Sequence, residues 1–212
     1  MKYKGIIFDL DGVICFTDKY HYLAWKAISD EEGIFFDESI NNRLRGVSRM
    51  ASLDIILEKS EKEYTTVQKM DMAERKNAIY RESLGQMSPA DLSDEVKNTL
   101  EELRRRGYKM AIGSSSKNTP YILEKIGLGS YFDAVSDGNN ITRSKPDPEV
   151  FLKAADFISE KPEDCLVVED AVSGAQAGHA GRFTVACLGD ASAAGAGDFN
   201  MKSFRDLLDI CL

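Results

Sequence analysis

The sequence predicts an α/β protein in which a doubly wound parallel sheet forms the core and a helical segment is inserted after the first strand. Two patterns predict this fold. Short apolar strands alternate with amphipathic helices from about residue 94 onward, and residues 17–87 show helical periodicity without a good strand. With 212 residues, 43% of them hydrophobic and 29% charged, the chain can bury a sizeable core. The composition therefore argues against disorder and fibrous repeats.

The first half of the predicted sheet comes from two short apolar runs. The first strand covers residues 4–8. A helix with Val96, Leu100 and Leu103 on its apolar face then precedes a second strand at residues 108–112. This order, strand then helix then strand, is typical of parallel pairing.

The same alternation continues toward the end of the chain. It predicts a helix from about residue 120 to Gly127, a strand at 134–136, a helix with Phe151, Ala154, Ala155 and Ile158 on one face, and strands at 165–168 and 183–187. Five strands separated by helices form a sheet covered on both faces, with a ligand crevice at the carboxyl ends of the strands. We predict that residues 191–197, which are small, form a surface loop.

The inserted segment contains three apolar stripes at helical spacing. They are Tyr20, Leu23, Ala24, Ala27 and Ile28; Leu53, Ile56 and Leu57; and Val67, Met70, Ala73, Tyr80 and Leu84. We therefore predict two domains, an α/β core made of residues 1–16 and 88–212 and a helical cap made of residues 17–87.

The charge of the chain limits the classes of partner. Lys and Arg number 27 against 35 Asp and Glu, for a net charge of -8, which repels nucleic acid and anionic membranes. An anionic ligand therefore needs a local basic site. The apolar runs are only a few residues long, so we predict no membrane span and no signal peptide, and a cytoplasmic location.

Cysteine usage argues against two common structural devices. The four cysteines include no Cys-x-x-Cys pair, and the chain has only two histidines. Structural zinc and a disulfide framework are therefore not expected.

Two acidic pairs follow predicted strands and suggest a metal site. Asp9 and Asp11 lie two residues apart after the first strand, and Glu169 and Asp170 follow the strand at 165–168. A single acidic pair would more simply cap a helix or face solvent. Two pairs at the same edge of one sheet instead favour Mg²⁺, which prefers oxygen ligands and often accompanies phosphate.

Donors suited to phosphate follow the strands between these pairs. Residues 114–118, Ser-Ser-Ser-Lys-Asn, come directly after a strand and lead into a helix, although such a loop could also be solvated and simply cap that helix. Lys145 precedes Pro146, which favours an extended backbone there, although an isolated lysine is usually a surface residue. Together with the carboxylates, these groups suit phosphoryl transfer through an aspartyl phosphate.

These motifs resemble those of a known superfamily. Asp9-Leu10-Asp11-Gly12-Val13, Ser114, Lys145 and Glu169-Asp170 resemble the four motifs of the haloacid dehalogenase-like superfamily, over nearly the whole chain. Within it, the chain resembles the beta-phosphoglucomutase family, through Thr17, His21 and Trp25, residues 44–49 (Leu-Arg-Gly-Val-Ser-Arg) and residues 114–118. The resemblance implies the superfamily's Rossmann-like core with a cap inserted after the first strand.

The resemblance also implies the roles of the residues on the core. Asp9 would attack the phosphoryl group and Asp11 would act as general acid and base. Mg²⁺ would be bound by Asp9, the backbone carbonyl of Asp11, Glu169 and Asp170. Ser114 and Lys145 would bind the transferring phosphoryl oxygens, and Thr17 and His21 would orient Asp11.

The cap would bind the rest of the substrate. Arg49 would hold the second phosphate of a sugar bisphosphate, with Ser116 and Asn118 opposite. The other implied substrate-binding residues are Trp25, Gly46, Val47, Lys76, Ser115 and Lys117. Each has a plainer alternative, such as core packing for Trp25, a packed or surface position for His21 and a charged helix face for Lys76. A solvated helix start fits Arg43 and is one alternative for Arg45.

Two residues depart from the family pattern. Phe16 stands where an acidic residue often precedes the Thr, and Ala171 stands where a Ser commonly follows the metal pair. These changes affect hydrogen bonds around the site, and they could accompany a different hexose phosphate.

The activity that the resemblance implies is that of a phosphohexomutase. It would interconvert beta-D-glucose 1-phosphate and glucose 6-phosphate through an aspartyl phosphate, with glucose 1,6-bisphosphate as primer and intermediate, and act as a monomer. The alternatives are a phosphatase of the same superfamily acting on small sugar phosphates, and a signalling receiver domain. A receiver has no need of a large cap, and the absence of a glycine-rich nucleotide loop argues against ATP and NAD.

Overall fold

The centre of the protein is a parallel sheet of six strands. The computed structural model describes residues 2–212. The strands are β1 (Gly5–Phe8), β2 (Lys109–Gly113), β3 (Ala134–Ser136), β4 (Cys165–Glu169), β5 (Thr184–Cys187) and β6 (Phe199–Asn200), in the spatial order β3-β2-β1-β4-β5-β6. The parallel α/β sheet predicted from the sequence is confirmed. The prediction of five strands missed β6, which has only two residues and no apolar run of its own.

Ten α-helices surround or extend this sheet in the described part of the chain. They are α1 (Asp18–Glu32), α2 (Glu38–Asn42), α3 (Arg49–Leu57), α4 (Thr66–Leu84), α5 (Asp94–Arg105), α6 (Thr119–Lys125), α7 (Glu149–Phe157), α8 (Val172–Ala180), α9 (Gly189–Ala193) and α10 (Leu207–Ile210). The loop prediction at residues 191–197 is wrong in its first part, because α9 runs to Ala193 and buries Ala191 completely. Small residues pack closely in short helices and leave no apolar stripe to detect.

The register of the sheet brings the predicted chemical groups to one edge. β1 lies between β2 and β4, and Phe8 is level with Ile112 on one side and Val168 on the other. The residue after each of these strand positions therefore emerges at the same height. All four residues of β1 are buried, as expected for a parallel strand covered on both faces.

Helices α1–α4 are consecutive and share a hydrophobic cluster of their own. Its largest members include Trp25, Phe36, Leu53 and Met72. Other residues of α1 and α4, Ala24, Tyr80 and Leu84, join the cluster that packs on the sheet. The helical insertion is therefore present, while the predicted division into domains at residues 17 and 87 stays a prediction.

The predicted stripes are only partly correct. Leu23 and Ala27 are exposed. The buried face of α1 is centred on Trp25 and Ile28, and Leu23 and Ala27 lie outside that face. At the start of α4, Val67 and Met70 are also exposed. Met70 borders the large cavity described below, and periodicity alone cannot distinguish a cavity wall from a core.

Two expectations about the chain as a whole can be compared with the structure. All four cysteines are buried and free, so no disulfide forms. Within residues 2–212, no helix has the length and apolar character that crossing a membrane would require.

Candidate active site

A large cavity of about 870 Å³ lies between the carboxyl edge of the sheet and helices α1–α4. Most of the residues predicted from the sequence border it: Asp9, Asp11, His21, Trp25, Gly46, Val47, Arg49, Lys76, Ser114, Ser115, Ser116, Lys117, Asn118 and Asp170. Three further predicted residues are buried beside it: Thr17 contacts Asp11, Lys145 contacts Asp9, and Glu169 contacts Lys145. The fold therefore collects residues that are far apart in the chain around one space.

Three carboxylates cluster at the end of β1 and β4. Oxygen atoms of Asp9, Glu169 and Asp170 lie within 4.8 Å of one another. Two glycines make room for them. A Cβ at Gly12, which has a φ of +89°, would lie 2.2 Å from Asp170 Oδ2, and a Cβ at Gly174 would lie 1.9 Å from Glu169 Oε1. Such distances are shorter than any real contact, so a larger residue would displace the carboxylates.

Lys145 joins two of these carboxylates. Its Nζ lies 2.5 Å from Asp9 Oδ1 and 2.5 Å from Glu169 Oε1, and its side chain is fully buried. Burial lowers the pKa of Lys145, but Asp9 and Glu169 more than offset it, so the net pKa is raised. The lysine is therefore a fixed positive charge. The other oxygen of Glu169 accepts a hydrogen bond from the Ala171 amide at 2.7 Å.

The cluster carries more negative charge than Lys145 can balance. Burial raises the pKa of Asp9 well above its usual value, and neighbouring carboxylates raise it further. The same two causes raise the pKa of Asp170 to about 7. Among the described residues, no side-chain hydrogen bond to Asp170 forms. Oxygen ligands that are buried and short of partners fit a hard divalent cation such as Mg²⁺.

Asp11 lies beside these three carboxylates in a different environment. Thr17, just before α1, donates a hydrogen bond from its hydroxyl to Asp11 Oδ1. Burial raises the pKa of Asp11, and the Thr17 hydrogen bond opposes this shift. Asp11 is thus a carboxyl group that can hold a proton, as a general acid requires.

His21 contacts Lys76 and not Asp11 in the hydrogen bonds of the described residues. Its Nδ1 lies 2.8 Å from Lys76 Nζ, and Lys76 Nζ also lies 4.4 Å from the ring centre of Tyr80 and 5.0 Å from that of Trp25. Burial and the nearby charge of Lys76 hold the pKa of His21 well below its usual value. Burial, followed by the Arg49 charge, lowers the pKa of Lys76 to about 7. The predicted orientation of Asp11 by His21 therefore stays a prediction.

Arg49 is a basic group on the side of the cavity formed by helices α1–α4. It is half-buried, and its Nη2 donates to Asn77 Oδ1 at 2.8 Å. Arg49 forms no salt bridge with any carboxylate among residues 2–212. By contrast, Arg43 donates to both carboxylate oxygens of Glu58 at 2.8 and 2.9 Å in an exposed pair. Arg43 is thus neutralised at the surface, whereas Arg49 has a neutral partner, and the predicted binding of a phosphate by Arg49 stays a prediction.

Arg45 departs from the solvated role considered for it. Its Nη1 lies 2.5 Å from Asp190 of α9, so it links the helical insert to the sheet side. The backbone at residues 45 and 46 is also bonded to the sheet side. Ser173 Oγ donates to Arg45 O and Ser115 Oγ donates to Gly46 O, each at 3.1 Å. Asp190 and Ser173 were missed by sequence reasoning, and neither belongs to a recognisable motif.

Residues 114–118 form the turn that leads into α6. Ser114 Oγ accepts from the Ser116 amide and Ser116 Oγ accepts from the Asn118 amide, both at 3.2 Å. These local bonds fix the turn after β2, while the side chains border the cavity. Phe16, one of the two departures from the family pattern, is 73% exposed and also borders the cavity. Ala171 is buried and has no hydroxyl to donate.

Comparisons with known proteins agree with this geometry. The model of a family described as haloacid dehalogenase-like hydrolase matches residues 3–182. The chain is 40% identical to a beta-phosphoglucomutase of Bacillus subtilis (strain 168) over 185 residues, 86% of this chain and 82% of that protein. It is 32% identical to a fructose-1-phosphate phosphatase of Escherichia coli (strain K12) over 181 residues, 84% of this chain and 93% of that protein. A crystal structure of a beta-phosphoglucomutase from Clostridium difficile superposes with a TM-score of 0.92 at 32% identity, covering 97% of this chain and 93% of that one.

Proposed function

Because the chain belongs to the haloacid dehalogenase-like hydrolase family, we propose that it is a beta-phosphoglucomutase. In this proposal it interconverts beta-D-glucose 1-phosphate and glucose 6-phosphate, and glucose 1,6-bisphosphate serves as primer and intermediate. The resemblance to a Bacillus subtilis beta-phosphoglucomutase at 40% identity supports this activity. The predicted division into core (1–16 and 88–212) and cap (17–87), the monomeric state and the cytoplasmic location remain part of the proposal.

One observation carries the proposal. The cavity has an acidic end with Asp9 and a basic end with Arg49, a half-buried guanidinium without a carboxylate partner in the described chain. A phosphatase that releases its product needs only the first end. A mutase also needs to hold a second phosphate while the first one reacts, and an unpaired guanidinium suits that phosphate.

In the proposed reaction, Asp9 and Asp11 have the roles that the resemblance implies. With Asp9 phosphorylated, Asp11 takes the proton of the sugar 6-hydroxyl, the hydroxyl oxygen bonds to phosphorus and the bond from phosphorus to Asp9 breaks. The bisphosphate then turns round and presents its 1-phosphate. Asp9 attacks this phosphorus, the bond to the sugar oxygen breaks, and Asp11 returns the proton to that oxygen. The products are glucose 6-phosphate and the phosphorylated enzyme.

Asp9, the Asp11 backbone carbonyl, Glu169 and Asp170 would hold Mg²⁺. The ion would neutralise the carboxylates and the charge that develops on the transferring phosphoryl group. Both oxygens of Glu169 already have protein partners, but each retains a second lone pair. Lys145 supplies a permanent positive charge next to Asp9, and Ser114 supplies a hydroxyl donor.

The contacts between the helical insert and the sheet side support the exclusion of water during the reaction. Arg45, Gly46 and Asn118 all form hydrogen bonds across the cavity mouth. Such closure protects the aspartyl phosphate from hydrolysis while the sugar turns.

The test is a reaction with both products measured. The protein is incubated with Mg²⁺, beta-glucose 1-phosphate and a trace of glucose 1,6-bisphosphate, and glucose 6-phosphate and free phosphate are followed together. A mutase forms glucose 6-phosphate in large excess over phosphate and depends on the bisphosphate. Steady phosphate release without that dependence would contradict the proposal.

The second candidate is a phosphatase acting on small sugar phosphates. The 32% identity to a fructose-1-phosphate phosphatase favours it. The same assay, run also with fructose 1-phosphate as substrate, separates the two activities, because a phosphatase releases free phosphate and free sugar from either substrate without the bisphosphate.

A further inference from the structure

Asn77 lies at the junction of two groups that the proposed function assigns to the second phosphate. Its Oδ1 accepts a hydrogen bond from Arg49 Nη2 at 2.8 Å and another from Asn118 Nδ2 at 2.9 Å. Arg49 belongs to α3 in the helical insert, whereas Asn118 follows β2 on the sheet side. One amide oxygen therefore ties together donors from the two sides of the cavity.

The neighbouring contacts fix the orientation of Asn118. Its Oδ1 accepts from Arg81 Nη1 at 3.1 Å, so its amide is held at both ends. Asn77 and Arg81 are four residues apart in α4, which places them on the same helix face. The guanidinium of Arg81 in turn lies 4.5 Å from the ring centre of Tyr121 in α6. This face of α4 therefore fits against Asn118 and Tyr121 as one surface.

The bonds to Asn77 leave donors free for a ligand. A guanidinium has five N–H groups and an amide has two. Arg49 and Asn118 each border the cavity, and the bond to Asn77 uses only one N–H group of each. The bonds restrict the rotation of both side chains without using up their capacity to bind an anion. Ordering these donors before binding reduces the entropy that phosphate binding would otherwise cost.

We propose that Asn77 is a positioning residue that assembles the second phosphate site, resting on the proposed mutase function. The site is complete only when α4 is seated on the sheet side, because Asn77 must reach Asn118 and Arg49 at the same time. Closure of the insert and capture of the distal phosphate are then a single event. A small phosphoester such as acetyl phosphate, which has no phosphate that can reach Arg49 while its own phosphoryl group reacts at Asp9, would gain nothing from this arrangement.

The test compares Asn77→Ala and Asn77→Asp with the unaltered protein. Asn77→Ala removes the shared acceptor, whereas Asn77→Asp keeps the shape and adds a carboxylate that pairs with Arg49 and repels phosphate. The matched control is Asn98→Ala, because Asn98 lies on an exposed face of α5. Asn77→Asp also keeps the inference testable if the alanine variant does not fold.

Two measurements are made on each variant. The first is the dissociation constant of glucose 6-phosphate, followed by the fluorescence of Trp25, which is the single tryptophan of the chain and borders the cavity. The second is the Mg²⁺-dependent hydrolysis of acetyl phosphate, which carries one phosphoryl group and requires only the Asp9 end.

We expect glucose 6-phosphate to bind about tenfold more weakly to both Asn77 variants, because hydrogen bonds that order a charged donor are lost or replaced by repulsion. Acetyl phosphate hydrolysis should stay within about twofold, and the control should match the unaltered protein in both measurements. Binding as tight as in the unaltered protein would overturn the inference, as would equal losses in both measurements.

The inference and the proposed function can fail separately. If no glucose 6-phosphate forms from beta-glucose 1-phosphate in the presence of the bisphosphate, the mutase proposal fails, while the binding comparison still decides the role of Asn77. An unaltered protein that does not bind glucose 6-phosphate would overturn the inference as well, because the ordered donors would then have no phosphate to hold.

Discussion

The two ends of the cavity are built in opposite ways. At the acidic end, the side chains follow buried strands of the sheet, and Lys145 is bonded to both Asp9 and Glu169. At the basic end, Arg49 and Lys76 come from the helical insert, and neither forms a salt bridge in the part of the chain that the structure describes. At the acidic end, Lys145 therefore neutralises part of the negative charge. At the basic end, Arg49 and Lys76 have the neutral partners Asn77 and His21.

This difference suggests that the acidic end carries out the bond-forming chemistry and that the basic end binds the rest of the ligand. Groups at strand ends are held by the packing of the sheet and can be positioned within a fraction of an ångström for bond formation. Groups on the insert gain their positions only through contacts across the cavity mouth, such as the bond from Ser115 to Gly46 O. We infer that substitutions at the acidic end remove activity toward every phosphoester, and that those at the basic end affect only ligands that place a phosphate beside Arg49.

The largest expected effect is at the acidic end. Asp9→Asn keeps the shape of the side chain but removes the nucleophilic oxygen, so turnover should fall by at least about 10³-fold for every substrate. Steady-state rates and phosphate labelling of the intact protein check this result. Asp54→Asn is the control, since Asp54 is an exposed carboxylate paired with Lys69 at 2.7 Å. Retention of an acid-stable phosphate label in the Asp9 variant would show that another residue is the nucleophile.

At the basic end, Arg49→Ala should discriminate between substrates. We expect kcat/KM for glucose 1,6-bisphosphate to fall by about 100-fold, which corresponds to about 2.7 kcal/mol, because a charged hydrogen bond to phosphate is lost. Acetyl phosphate hydrolysis should change by about twofold or less. Arg43→Ala is a matched control, since Arg43 is an exposed arginine paired with Glu58. Equal losses on both substrates would remove the distinction between the two ends.

The buried ammonium of Lys76 should be visible in the pH dependence of stability. Its pKa falls from 10.5 to about 7 in the folded protein, mainly through burial. Between these two values the unfolded chain binds a proton that the folded protein does not, so the free energy of unfolding should rise as pH increases from about 7 to 10.5. Below pH 7 both states are protonated and the full penalty remains.

Lys76→Met removes this titration. Urea unfolding at several pH values should give a slope that is flatter than that of the unaltered protein, by up to about 1 kcal/mol per pH unit. Lys69→Met, on the same helix and paired with Asp54, serves as control. Parallel pH profiles for the unaltered protein and the Lys76 variant would mean that Lys76 stays charged in the empty cavity.

The smallest expected effect tests the space around the carboxylates. Gly174→Ala places a Cβ 1.9 Å from Glu169 Oε1, so Glu169 must move away from Lys145. We expect a net loss of about 1–2 kcal/mol in the free energy of unfolding, since overpacking outweighs the gain in helix propensity. Gly129→Ala is the control, because its Cβ would meet Glu124 at an ordinary 3.6 Å. A Gly174 variant as stable as the control would show that Glu169 is free to shift.

The sequence predicts the acidic end better than the basic end, for a physical reason. Asp9, Asp11, Glu169 and Asp170 directly follow apolar strands, and parallel strands bring their carboxyl ends together whatever the length of the connections. Local patterns are therefore sufficient to place them at one edge. The resemblance of these motifs to a known superfamily supplied the roles, which the spacing alone could not.

The basic end depends on contacts that no local pattern contains. Arg49 could be singled out because arginines are concentrated in a short stretch of an acidic chain. Its partner Asn77 and the cross-cavity partner Asp190 are ordinary polar residues on helices, and only the packing of α4 and α9 against the rest brings them into place. Likewise, β6 and α9 were missed because short elements depend on tertiary packing more than on periodicity.

The most direct test of the two-ended cavity follows a single phosphate. Glucose 1,6-bisphosphate labelled with ³²P at the 1-position alone is incubated with the protein and Mg²⁺, and the label at each position is then measured. If one aspartate and one distal phosphate site exchange the two ends of the sugar, the label should become evenly distributed between positions 1 and 6. Label that stays at position 1, or that appears only as free phosphate, would contradict this account.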